Sequence, residues 1–235
     1  MKKDLDFRDP FIIAEIGGNH EGNIDYAKKL LIDAAQAGAD AVKFQTYFPD
    51  YIVSKVEDPD RHEHFGKFSL KIEDYFTLSK LASENGVMFM SSIWDPESLV
   101  VLNDLVSIHK IGSGDLTNYP LIKKIIETNK PLIISSAMAT IEEIEETVSF
   151  IETENPNYTD SKKLAILQCV AMYGEPSDNY ANLNVIPTLA KRFPKHVIGY
   201  SDHTIGNYAA NIAVALGAKV LEIHFTDDKS RDFRD

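Results

Sequence analysis

Two histidines stand where one metal could be shared. His203, in Tyr200-Ser201-Asp202-His203-Thr204, and His224, in Glu222-Ile223-His224-Phe225-Thr226, each follow a short apolar run, Val197 to Gly199 and Ala218 to Leu221. Those runs read as buried strands, and two neutral imidazoles at neighbouring strand ends can ligate one divalent ion. The helix expected from about Gly206 to Leu216 is long enough for a right-handed crossover that lays the two strands in parallel. One such histidine alone is more often a hydrogen-bonded structural residue; a pair in equivalent positions favours the shared metal. Two lysines suggest a second kind of chemistry. Lys43, in Val42-Lys43-Phe44-Gln45, and Lys110, in His109-Lys110-Ile111-Gly112-Ser113, each interrupt an apolar strand, and a buried ammonium is costly unless an anion pairs with it. That anion is either a protein carboxylate, with Glu15 and Asp115 as candidates, or a ligand. Gln45, Ser113 and Ser135 suit a phosphate or carboxylate, and Gly112 and Gly114 let backbone amides approach it.

The elements that must position these groups alternate. Strands are expected at Phe11 to Ile16, Ala39 to Phe44, Val87 to Ser91, Ser107 to Ile111, Leu132 to Ser135, Leu164 to Val170, Val197 to Tyr200 and Lys219 to Ile223. Helices are expected between them. Asp25 to Ala37 carries Ala27, Leu30, Leu31, Ala34 and Ala35 on one face and stops at Gly38. Ile72 to Glu84 ends at Asn85-Gly86, Pro96 opens a helix to about Leu105, and Pro120 opens one to about Thr128. Thr140 with Glu143 three residues on is a capping box, and Leu183 to Phe193 follows later. Tyr47 to Ser69 and Asn155 to Lys163 read as polar loops. Eight strands, seven intervening helices and no internal linker indicate a single α/β domain over residues 1–235, a (β/α)8 TIM barrel whose last helix is absent from this chain.

An open doubly wound sheet is the alternative. Its dinucleotide turn would be G-x-G-x-x-G, a spacing that Gly17-Gly18-Asn19-His20-Glu21-Gly22 lacks. Glu15, Lys43, Gln45, Ser91, Lys110, Ser113, Ser135, Gln168, His203 and His224 all fall at strand C-terminal ends, the catalytic face of a barrel.

Composition narrows the function classes. With 24 basic and 36 acidic residues the net charge is -12, which argues against a nucleic-acid surface or an anionic membrane but not against an anionic small substrate in a lysine-lined cleft. The single cysteine, Cys169, rules out an internal disulfide and reads as a packed strand residue. Residues 1–9 have no signal-peptide core, and no run approaches the ~18 apolar residues of a membrane span. These features predict a cytoplasmic protein.

Ala14-Glu15-Ile16-Gly17-Gly18-Asn19-His20-Glu21-Gly22, Val42-Lys43-Phe44-Gln45, Lys110-Ile111-Gly112-Ser113-Gly114, Gly199-Tyr200-Ser201-Asp202-His203-Thr204 and Glu222-Ile223-His224-Phe225-Thr226 resemble, in order, the signature segments of the sialic acid synthase family. These enzymes make N-acetylneuraminate and related nonulosonates. The resemblance implies metal-dependent condensation of phosphoenolpyruvate with an N-acetylated aldose. It implies His203 and His224 as ligands of manganese, with magnesium or cobalt as alternatives. Lys43, Gln45, Lys110, Ser113 and Ser135 would hold phosphoenolpyruvate, and Glu15 would be the active-site carboxylate. Asp115 and Tyr173 fall on the sugar side, and Asp235 matches a further active-site aspartate. The departures from the family pattern are Asp115 for Glu, Ser136-Ala137-Met138 for Thr-Gly-Met, Gly174-Glu175 after Tyr173, and Ala171 for Asn. They cluster on the sugar side. Family members continue through an eighth helix and a small antifreeze-like domain that in a swapped dimer lends an arginine to the sugar site. By that pattern the chain is C-terminally incomplete and its full-length form a homodimer. Two other readings compete: a Schiff-base aldolase using Lys43 or Lys110, and a non-catalytic sugar-binding remnant.

Overall fold

The computed structural model describes residues 5, 9–159, 162–172 and 180–230. Eight strands, paired in the order of the sequence, form a closed barrel. Each strand-to-strand connection contains at least one helix among the described residues, so the expected (β/α)8 architecture is borne out. None of the helices described is long and apolar enough to cross a membrane. The chain packs as two compact units, residues 14–107 with 224–235, and residues 1–13 with 108–223.

In the first of these units, β1 (Phe11–Gly17) contributes its residues from Ala14 on and is followed by α1 (Ile24–Gln36), β2 (Ala41–Thr46), α2 (Pro49–Ile52), α3 (Pro59–Phe68), α4 (Ile72–Glu84), β3 (Met88–Ile93) and α5 (Pro96–Leu102). Asn23 opens α1 by accepting from Asp25 N and Tyr26 N at 2.9 and 3.1 Å, and Ala27, Leu30, Leu31 and Ala34 form its buried stripe. Gly38, at φ +92°, ends it in the left-handed region that glycine enters without cost. β2 and β3 run parallel in the register Lys43↔Met90 through Gln45↔Ser92.

The segment from Tyr47 to Ser69, expected as a loop, contains two helices instead. Proline stands in the first turn of both α2 and α3, and the Asp58 carboxylate caps α3 by accepting from Arg61 N at 3.1 Å. No residue of α3 is fully buried, so it has no apolar stripe for periodicity to detect. What holds it is an aromatic cluster: Phe65 meets Tyr47 edge-on at 5.1 Å and Trp94 at 5.8 Å. Asp95 ties the neighbouring elements together. It caps α5 through Ser98 N and Ser98 Oγ at 2.8 and 2.6 Å and accepts from Phe48 N at 3.0 Å.

The second unit holds β4 (His109–Ile111), a 3-10 turn (Ser113–Asp115), α6 (Tyr119–Glu127), β5 (Leu132–Ser135), α7 (Ile141–Glu154), β6 (Leu164–Cys169), α8 (Val185–Arg192), β7 (Val197–Asp202), α9 (Tyr208–Ala215) and β8 (Val220–His224) as far as Ile223. β5, β6 and β7 are buried at every position, as parallel strands covered on both faces must be. The expected capping box is present. Thr140 N donates to Glu143 Oε2 at 2.7 Å and Glu143 N donates back to Thr140 Oγ1 at 3.3 Å. α7 then buries Ile144, Val148 and Ile151, each worth about 1.5–3 kcal/mol. β7 and β8 pair in parallel, Gly199↔Val220 through Asp202↔Ile223.

Two sites in this unit generate tests. A Cβ at Gly199 would lie 2.4 Å from Leu167 Cδ2 and 2.5 Å from the Val220 carbonyl oxygen, and a backbone oxygen cannot step aside as a side chain can. Gly199→Ala is therefore expected to cost about 1–3 kcal/mol, lowering Tm by roughly 2–4 °C per kcal/mol; an unchanged melting curve refutes the crowding. His109 is wholly buried with Nε2 at 3.1 Å from Thr128 Oγ1. Burial, aided by the Lys130 charge, pushes its imidazole down from 6.5 to about 3. Between those two values the unfolded chain takes a proton that the folded chain refuses. Stability is complete above pH 6.5 and falls with pH in that window by about 1.4 kcal/mol per unit. Urea unfolding of His109→Gln should show a slope shallower by that amount; parallel pH profiles would exclude it.

Candidate active site

In the unit of residues 14–107 and 224–235, the expected carboxylate and lysine find each other. Lys43 is 2% exposed, and its Nζ lies 2.7 Å from Glu15 Oε2. It also donates to Ser92 Oγ at 2.9 Å. Lys43 is registered opposite Met90, so its side chain leans two residues along β3, toward the strand's C-terminal end. Gln45 Nε2 donates to Glu15 Oε1 at 3.2 Å, so both carboxylate oxygens are held. Two charges taken from water are tolerated only with such geometry and with further hydrogen bonds around them.

In the unit of residues 1–13 and 108–223, Lys110 is also 2% exposed. Its Nζ donates to Ser135 Oγ at 2.7 Å and to the Ile111 carbonyl at 3.1 Å. The carboxylate it faces is Glu222, 3.7 Å away, and not Asp115. Glu222 in turn accepts from Ser201 Oγ at 3.2 Å. Asp115 sits in the 3-10 turn and accepts from Asn118 Nδ2 at 3.1 Å, with its carboxyl pushed up by burial. Ser113 Oγ accepts from Ala137 N at 3.0 Å, which ties the turn after β4 to the loop after β5. The partners that sequence reasoning missed are Glu222, Ser92 and Ser201. Glu222 carried the same signal as the lysines, a charge inside an apolar strand.

His203 and His224 are half-buried and each comes directly after the last registered β7–β8 pair, Asp202↔Ile223. Asp202 builds the turn that carries His203: its Oδ1 accepts from Thr204 N, Thr204 Oγ1 and Tyr200 OH at 2.9, 2.8 and 3.2 Å. Its other oxygen, Oδ2, is buried without a hydrogen-bond partner among the described residues. His203 Nδ1 lies 3.7 Å from Cys169 Sγ. Cys169 is a buried free thiol pushed up by burial, in keeping with a packed residue rather than a nucleophile. Among the described residues, no group of three or more His, Cys, Asp or Glu is arranged to hold a metal. Tyr173 and Asp235 lie outside the described residues.

A cavity of about 490 Å³ opens beside Cys169, with Gln168, Ser136, Met138, Ala171 and Met172 in its lining. Ser136 and Ala171 are positions at which the sequence departs from the resemblance described above.

Known proteins match most of the chain. The NeuB family matches residues 30–235. The chain is 40% identical to the N,N'-diacetyllegionaminic acid synthase of Legionella pneumophila, a match that covers 94% of this chain and 65% of that protein. It is 36% identical to the N-acetylneuraminate-9-phosphate synthase of Homo sapiens, covering 94% and 63%. The solved structure of the spore coat polysaccharide biosynthesis protein SpsE from Bacillus subtilis superposes with a TM-score of 0.83 at 39% identity, covering 95% of this chain and 62% of that one. The chain thus spans a little under two thirds of the length of these relatives. A match this extensive, on motifs that stand in order along the strands, means that the chain belongs to the NeuB family of sialic acid and related nonulosonate synthases.

Proposed function

We propose that the chain condenses phosphoenolpyruvate with an N-acetylated aldose, with a divalent metal, manganese foremost, to give a nine-carbon 2-keto acid and inorganic phosphate. The observation that carries this reading is the β7–β8 register, which ends one residue short of both His203 and His224. His203 follows directly on Asp202, whose Oδ2 is buried without a hydrogen-bond partner among the described residues, and two imidazoles with such a carboxylate suit a borderline metal that keeps open positions for water and substrate. Held by His203 and His224, such a metal would supply Lewis-acid polarisation of the aldose carbonyl.

The remaining roles belong to side chains. Lys43 and Gln45, with Lys110, Ser113 and Ser135, bind the phosphate and carboxylate of phosphoenolpyruvate. Ser92 and Ser135 already place oxygens against the two ammonium groups, and anionic ligand oxygens strengthen such contacts. Glu15, held by Lys43 and Gln45, keeps its carboxylate oriented toward the reacting carbons. C3 of phosphoenolpyruvate forms the new bond to the aldehyde carbon, whose oxygen becomes a hydroxyl. Water adds at C2, and the C2–O bond breaks to release phosphate. Asp115 and Tyr173 contact the sugar, Asp235 adds a further carboxylate, and the cavity beside Cys169 receives the acyl substituent.

The test has two parts. Phosphoenolpyruvate, N-acetylmannosamine or a related N-acetylated aldose, and manganese should yield phosphate and keto acid, and chelation should stop both. Lys43→Met and Lys110→Met should each weaken phosphoenolpyruvate binding, measured by calorimetry, at least tenfold, since a charge-assisted hydrogen bond is worth about 1.5–3 kcal/mol. Ser135→Ala removes an oxygen from the same place without stranding a charge and should weaken binding in the same direction. Parent-like affinity in all three variants would make the lysines purely structural.

A further inference from the structure

β1 and the segment after β8 are joined by a rung in which Phe225 N donates to the Glu15 carbonyl at 2.8 Å. The ladder cannot continue, because β1 turns away at Gly17, φ +54°, and Asn19 N closes that turn on the Ile16 carbonyl at 3.0 Å. The Phe225 carbonyl nevertheless has a donor. Asn19 Nδ2 reaches it at 3.0 Å, across 206 residues of sequence. Asn19 is 1% exposed, so its carboxamide serves as the next amide of a strand that has ended. Phe225 is thereby bonded at both its N–H and its C=O. Two residues on, Asp227 accepts from Tyr26 OH at 2.5 Å and from Lys29 Nζ at 2.6 Å, both on α1.

We infer that Asn19 is a positioning residue for His224, acting through the backbone of Phe225. The inference rests on the proposed role of His224 as a metal ligand. The residue that follows the imidazole is fixed from two sides, so the Cα of His224 has no freedom to drift along the strand direction. The same rung binds the backbone of Glu15, so the carboxylate-bearing and imidazole-bearing residues are held at one spacing. An asparagine is required because the Phe225 carbonyl needs an N–H donor on a short stem; aspartate has the shape and no donor. Groups that orient a metal ligand from outside the coordination shell affect metal affinity about 10- to 100-fold.

The experiment is a manganese titration followed by electron paramagnetic resonance on the parent, Asn19→Asp, Asn19→Ala and His224→Ala, with circular dichroism to verify folding. Asn19→Asp is expected to fold, to bind manganese about tenfold more weakly or worse, and at saturation to give a bound-ion spectrum different from the parent's. A purely structural role would leave that spectrum unchanged. Parent-like affinity and spectrum in Asn19→Asp, alongside loss of binding in His224→Ala, overturn the positioning role and leave the proposed function standing. Unchanged affinity in His224→Ala overturns both. If Asn19→Ala does not fold, the near-isosteric Asn19→Asp decides the matter.

Discussion

An ammonium group out of reach of water must be surrounded by oxygen, and this chain meets that requirement twice with the same solution. Lys43 has Glu15 and Ser92; Lys110 has Glu222 and Ser135. Each set combines a carboxylate from one apolar strand, a lysine from another and a hydroxyl from a third. The strands can bury their apolar residues only if these polar ones meet, because removing one member of a buried pair leaves an uncompensated charge that costs about 3–5 kcal/mol. Replacing such a set with well-packed hydrocarbon of similar volume is often neutral or stabilising. That such sets are often dispensable for stability supports the ligand-binding role proposed for these charges.

Parallel strands explain why the hydroxyls of these sets, Ser92 and Ser135, lie toward strand ends. The middle of β5 or β6 is enclosed on both faces and accepts only apolar side chains. Polar residues survive where the strand emerges, and long ones such as Lys43 lean further out. The turn after β7 shows the same logic on a smaller scale: one oxygen of Asp202 takes three hydrogen bonds to shape the backbone that carries His203. Gly199, three residues earlier, lets β7 approach β8 closely enough for that geometry.

Much of this was legible in the residues. The strand-and-helix alternation is written in long apolar runs, and the Thr140–Glu143 cap is a local pattern whose bonds form as its spacing requires. Both lysines announce themselves as charges in apolar company. Their partners are harder to read. Glu15 was one of two candidates and pairs with Lys43, whereas the other, Asp115, is engaged by Asn118 within its own turn, and Lys110 turns to Glu222, which only strand pairing brings near. α3 escaped because it buries no full stripe and is held by rings from distant segments. Asn19 escaped for a related reason: its bond spans nearly the whole chain.

That ring cluster has a practical side. Trp94 is the chain's one tryptophan, and it lies half-buried against Tyr47 at 5.0 Å and Phe65 at 5.8 Å. Phe65 belongs to α3, which like α2 buries no residue completely. The tryptophan emission of this protein is therefore a single-site optical gauge of how the segment after β2 sits against β3, insensitive to most of the molecule.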